Sequence, residues 1–185
     1  LREAGLTARA ARGRHTPDRS PLEAARLLIS IMGAATAADV EAATRLIGQL
    51  RCTCFEGPDS RRLRFMGAPL EAVMAFNFID LQDAAVDGEA ALGSADGGLS
   101  FKISQRSLTA VVMGRDLTAT FDVVDPEPVG LPSPSLSYAA TAERLLAEKA
   151  KGGMEIEARV SPVQLREIAP SLAGRRHWTE AMENH

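Results

Sequence analysis

The sequence predicts an α+β fold, with a helical N-terminal half of about three helices and then a small mixed half in the order β-β-β-α-β-α. Three observations carry this. Between residues 20 and 90 the apolar residues recur at helical spacing. From residue 99 onward apolar and polar residues alternate with period two. A small, Gly-rich stretch at 91–98 separates the two regimes and reads as a linker.

Leu1 to Leu6 reads as the last turn of a helix closed by Gly5, and the polar, basic residues 7–19 read as a loop or wing. Ser20-Pro21-Leu22-Glu23 is a helix start with capping-box spacing, a Pro suited to the first helical position, and Leu22, Ala25, Leu28 and Met32 following at helical spacing to Gly33. Val40, Ala43, Ile47 and Leu50 mark a second helix from about Ala37 to Leu50. Cys52 to Arg64 reads as a loop, because Gly57-Pro58 and Asp59-Ser60 are turn signals. A third helix opens at Pro69, with Leu70, Val73, Met74 and Phe78 inward, and ends near Asp87-Gly88. The run Phe76-Asn77-Phe78-Ile79 is expected in the core.

Leu99, Phe101 and Ile103 alternate with Ser100, Lys102 and Ser104; Leu108 to Met113 is β-rich; and Leu117, Ala119, Phe121 and Val123 alternate with polar residues. Gly114-Arg115-Asp116 is a hairpin turn between the second and third runs. Four prolines between Asp125 and Pro134 impose an extended connector. A helix over Ser135 to Lys151 stops at Gly152-Gly153. Met154, Ile156, Ala158 and Val160 then form a fourth strand, for which a helical crossover leaves either sheet edge open. Glu155 and Glu157 share one face of it and read as solvated rather than as a catalytic pair. Ser161-Pro162-Val163-Gln164 opens a last helix. The chain thus divides into a basic head at 1–19, a helical region at 20–90, a mixed region at 99–173 and a charged tail at 174–185.

Composition excludes several classes. With 185 residues, 45% of them hydrophobic, the chain is long enough to bury a core without disulfides or metals. Lys+Arg is 21 against 24 for Asp+Glu, a net charge of −3, so it is neither a polybasic nucleic-acid coat nor a hydrophobe-poor disordered chain. No run approaches the roughly 20 apolar residues of a membrane span, so no membrane partner is expected. Cys52 and Cys54 stand one residue apart, a poor spacing for a disulfide and too few ligands for structural zinc. A reduced, cytoplasmic setting follows as the expectation. No phosphate-binding loop, no nucleophile elbow and no metal-ligand spacing is present, so no catalytic residue, metal or cofactor is assigned.

The charge is uneven. Residues 1–15 carry Arg2, Arg9, Arg12 and Arg14 against Glu3 alone. Planar guanidinium groups in a Gly-containing loop suit phosphate oxygens, so Arg2, Arg9, Arg12, Arg14 and His15 are the candidate DNA-binding residues. At the other end, Arg175, Arg176 and Trp178 are candidate partner-binding residues, since an exposed Trp beside basic groups often anchors an interface. The predominance of Arg over Lys itself is discounted, because the many Ala and Gly point to GC-rich coding.

Leu1-Arg2-Glu3-Ala4-Gly5-Leu6, followed by Arg12-Gly13-Arg14-His15, resembles the end of a winged-helix recognition helix and its basic wing. The continuation from Ser20 to Gly33 resembles proteins of alphaproteobacterial prophages and gene-transfer-agent regions, in which a short helix-turn-helix segment precedes helices and a small mixed domain. The resemblance implies a DNA-binding head whose first helices would precede Leu1, with Arg2 near the recognition helix and Arg12, Arg14 and His15 in the wing. The function expected on these grounds is that of a DNA-associated phage- or prophage-type protein, a transcriptional regulator. The alternative is a non-enzymatic structural or protein-interaction module, with a protein partner or self-association.

Overall fold

The computed structural model describes Leu6 and residues 20–87, 100–124, 138–151, 155–161 and 164–165. The elements are α1 (Pro21–Gly33), a 3-10 turn (Ala37–Asp39), α2 (Val40–Gly48), β1 (Arg51–Glu56), α3 (Asp59–Phe65), α4 (Leu70–Asp87), β2 (Ser100–Ser104), β3 (Thr109–Met113), β4 (Thr118–Asp122), α5 (Tyr138–Lys151) and β5 (Glu157–Val160). The fold is α+β, as the change of period predicts. The linker at 91–98, the connector at 125–134 and the tail at 174–185 lie outside the described residues.

Helix α1 begins where its capping residues say it should. Ser20 Oγ accepts from the Glu23 N–H at 3.2 Å, and Glu23 Oε2 accepts from the Ser20 N–H at 3.1 Å. The helix is central: it packs against α2 and α4 on its flanks and against β2 and β5 beneath. Gly33 ends it for a reason of space, not of backbone conformation. The cap residue Ala34 is extended, and a Cβ at Gly33 would collide with Ile47 Cδ1 of α2. The reciprocal Ser161–Gln164 bonds of the last capping box also form, with Gln164 Oε1 accepting from the Ser161 N–H at 2.9 Å.

The five strands form one antiparallel sheet in the order β1-β4-β3-β2-β5. Register sorts the inward residues into two cross-sheet rows. One runs Val160, Phe101, Val112, Ala119, Phe55; the other runs Ala158, Ile103, Ala110, Phe121, Cys52. All but the half-buried Ala158 are buried, and they join the inner faces of α1, α2 and α4 in one continuous core. The opposite face carries Arg159, Lys102, Val111 and Thr120 in a matching row. The strand after α5 lies on the β2 edge, where Lys102 Nζ pairs with Glu157 Oε1 at 2.6 Å.

Three expectations need correction. Residues 52–64 are not a loop but contain β1 and α3. Strand β1 escaped the period-two test because its register shifts between Cys52 and Cys54; Thr53 and Cys54 both face solvent, and alternation fails. Glu155 is not a free surface charge: half-buried, its carboxylate accepts from the N–H groups of Arg106 (2.7 Å) and Ser107 (2.9 Å) and so ties down the β2–β3 turn. In that turn Leu108 takes a left-handed conformation (φ 48°), held there by complete burial of its side chain. Phe76 is not core; it stands out from α4 while Phe78 is fully enclosed.

The β3–β4 hairpin closes as its turn residues predict, with the Gly114 N–H donating to Leu117 O at 2.9 Å. Gly57, just past β1, lies against this hairpin at φ 151°, and a Cβ there would meet Leu117 Cβ at 2.8 Å and Asp116 O at 3.0 Å. Backbone conformation and space both demand glycine. Gly57→Ala is expected to destabilise by about 2–3 kcal/mol, read as a lowered urea midpoint. A loss under about 0.5 kcal/mol would show that the hairpin yields freely.

Candidate functional site

Arg2, Arg9, Arg12, Arg14 and His15, and likewise Arg175, Arg176 and Trp178, lie outside the described residues. Leu6 is the one residue of 1–19 that it does describe, and Leu6 is core: only 1% of it is exposed. Its carbonyl accepts from Arg26 Nη1 of α1 at 3.4 Å.

Arg26 belongs to a network that joins three helices. Its Nε donates to Glu71 Oε2 at 2.8 Å and its Nη2 to Glu71 Oε1 at 3.4 Å, a two-pronged contact. Gln49 Nε2 donates to the same Oε1 at 2.7 Å. Glu71 lies in the first turn of α4, where a carboxylate also complements the helix dipole. Gly48 leaves room for this carboxylate, with Glu71 Oε2 only 3.3 Å from where a Cβ would stand. The cluster is satisfied within itself, which is the signature of a structural clamp.

The surface of interest is built by α3 and the start of α4. Helix α3 is short, and Phe65 pins it to the sheet by packing its ring 5.2 Å from that of Phe55 on β1. The segment after α3 runs along the start of β1: the Gly67 N–H donates to Cys52 O, and the Cys52 N–H to Ala68 O. With Phe65 inward, helical geometry turns Leu63 outward. It is 90% exposed, flanked by the exposed Arg62 and Arg64. Met66 and Phe76 are separately exposed, 42% and 46% accessible. Between the helices Arg61, Arg64, Phe65, Val73, Phe76 and Asn77 line a shallow depression. Asn77 is not aimed into it as a free group, since its Nδ2 donates to Val73 O at 2.8 Å. Arg61, Arg62 and Arg64 make no ion pair among the described residues. The sequence signal for this face is the cluster Arg61-Arg62-Leu63-Arg64, which the turn signals around it concealed.

Three further charged contacts hold α5 in place. Arg45, wholly buried on α2, pairs with Glu41 at 3.0 Å and lies 5.6 Å from the ring centre of Tyr138 at the start of α5. Asp39, buried and accepting from Thr36 Oγ1 at 2.8 Å, receives Arg144 Nη2. Lys149 Nζ pairs with Asp122 Oδ1 of β4 at 2.6 Å. Burial acts to raise the Asp122 pKa, but the bonds from Lys149 and from the Val123 N–H outweigh it and hold the carboxyl below its ordinary value. Cys52 and Cys54 are free thiols; burial pushes the Cys52 thiol above its ordinary pKa, the opposite of an activated nucleophile. Among the described residues no group of three or more His, Cys, Asp or Glu could hold a metal, and no helix is long and apolar enough to cross a membrane.

Comparison with protein-family models, with curated proteins and with solved structures finds no match to this chain.

Proposed function

We propose that this chain is a non-enzymatic, DNA-associated module of the prophage regulator type, which contacts phosphates through Arg2, Arg9, Arg12, Arg14 and His15. One observation carries the reading: four arginines stand against Glu3 alone in residues 1–15 of a chain whose net charge is −3. The regulator step rests on the winged-helix resemblance of Leu1 to His15. Burial of Leu6 against α1 supports the reading further, because arginines next to a fixed point deliver phosphate contacts at less entropic cost than those of a free tail.

The same burial decides how to test it. Deleting residues 1–19 would remove Leu6 from the core and confuse lost binding with lost fold. Arg9→Ala, Arg12→Ala and Arg14→Ala combined leave Leu6 in place. Fluorescence anisotropy with a labelled random duplex should show affinity falling about a hundredfold between 50 and 200 mM salt, for roughly four phosphates neutralised. Each substitution should reduce the log–log salt slope by about 0.9. Absence of binding at the lower salt, or a slope the substitutions leave unchanged, sinks the proposal. The second reading, a protein-interaction module, is favoured by three exposed large apolar residues, Leu63 on α3, Met66 just past it and Phe76 on α4.

A further inference from the structure

We propose that α5 is a latch: a helix whose hold on the rest of the fold is set by charge, and which opens as a unit while the core stays folded. Burial separates it from the other helices. Helix α1 buries eight of its 13 residues and α2 seven of its nine, whereas α5 buries one of 14, and that one is the small Ala142. Tyr138, Leu145 and Leu146 are half-buried against the core, while Ala139, Ala140, Glu143, Arg144 and Ala147 are exposed. So little buried apolar surface puts α5 at the low end of local stability.

Charged contacts make up the difference, and they run the length of the helix. Tyr138, its first residue, places its ring against the guanidinium of the buried Arg45. Arg144 reaches the buried Asp39 in the turn before α2, and Lys149 reaches Asp122 on β4. The side chains of Arg144 and Lys149 are 47% and 29% exposed, so salt screens what they supply. Apolar packing has the opposite tendency and is not weakened by added salt. Once released, α5 does not persist alone, because a helix of 14 residues is marginal in water, and its amides open together. Opening takes Tyr138 from Arg45 and Arg144 from Asp39, two side chains only 1% and 5% exposed with the latch closed. Ionic strength thereby sets how often those two charges lose their cover.

The test is native-state hydrogen exchange of the full chain, read by mass spectrometry at about 50 and 500 mM NaCl. Peptides from 138–151 should exchange about a hundredfold faster than peptides from α1. The higher salt should speed α5 about threefold and leave α1 unchanged. Lys149→Gln and Arg144→Gln should each speed α5 by about two- to tenfold at the lower salt and flatten its salt response. Glu148→Gln removes only the Arg144–Glu148 pair inside the helix and should act less than either. Peptides from α1 report in every variant whether the core is intact. Exchange of α5 in step with α1 overturns the proposal, since the helix then opens only with the whole fold. Fast exchange of α5 that neither salt nor the two variants alter overturns it as well, because packing alone would then set the hold. So does a Glu148→Gln effect as large as that of Lys149→Gln, which would place the salt response within the helix itself.

Discussion

Replacing Glu71 by alanine is expected to cost about 3–4 kcal/mol of folding stability, near the low end of the range for breaking a buried ion pair. The side chains of Arg26 and Glu71 are only 13% and 9% exposed, so the guanidinium cannot recover in water what it loses. Gln49 Nε2, which donates to the same carboxylate at 2.7 Å, loses its acceptor as well. Arg26 then has only the carbonyl of Leu6 among the partners described above. Replacing both members, as in Arg26→Met with Glu71→Met, should recover part of the loss, because an apolar pair of similar volume asks for no desolvated charge, while Gln49 Nε2 stays without its acceptor. Urea denaturation of the parent, each single variant and the double variant gives the coupling directly. A Glu71→Ala cost below about 1 kcal/mol would mean that water already reaches the pair.

This network shows what a sequence can and cannot disclose. Ser20 and Glu23 are three residues apart, so their cap is written locally, and α1 was legible from it. The same holds for the helical stripe of α4, the two-residue alternation of β2 and β4, and the β3–β4 turn. Glu71 reads locally as nothing more than an acid in a first helical turn. Its partners Arg26 and Gln49 lie 45 and 22 positions away, and only the packing of α1, α2 and α4 makes them neighbours. Strand β1 was hidden in the same way. Its hydrogen bonds go to β4, with Cys52 opposite Phe121, and the bulge at Thr53 erases the alternation that would have announced it. Helix α3 has one inward aromatic, Phe65, and an outward Leu63, so it offers no apolar stripe at all. A residue pattern that disobeys burial is what makes a surface useful, and it is also what defeats pattern reading.

The largest loss of packing is expected at Phe121, whose replacement by alanine should destabilise by about 3–5 kcal/mol. Phe121 is completely buried on β4. Its neighbours across the sheet are small, Cys52 on β1 and Ala110 on β3, so the ring fills space that neither neighbour reaches. Both are fixed by strand pairing on either side and cannot move in to close a cavity, which puts the cost toward the upper part of the range for aromatic truncations. Phe76→Ala supplies the contrast, since a ring that is 46% exposed has already kept much of its surface in water. It should cost no more than about 0.5–1 kcal/mol. In urea the Phe121→Ala midpoint should fall at an unchanged slope, because the surface exposed on unfolding is nearly the same. A loss for Phe121→Ala close to that for Phe76→Ala would show that the row of Ile103, Ala110, Phe121 and Cys52 is loosely packed. The anchoring of β1, and with it the platform on which Phe65 holds α3, would then have to come from elsewhere in the core.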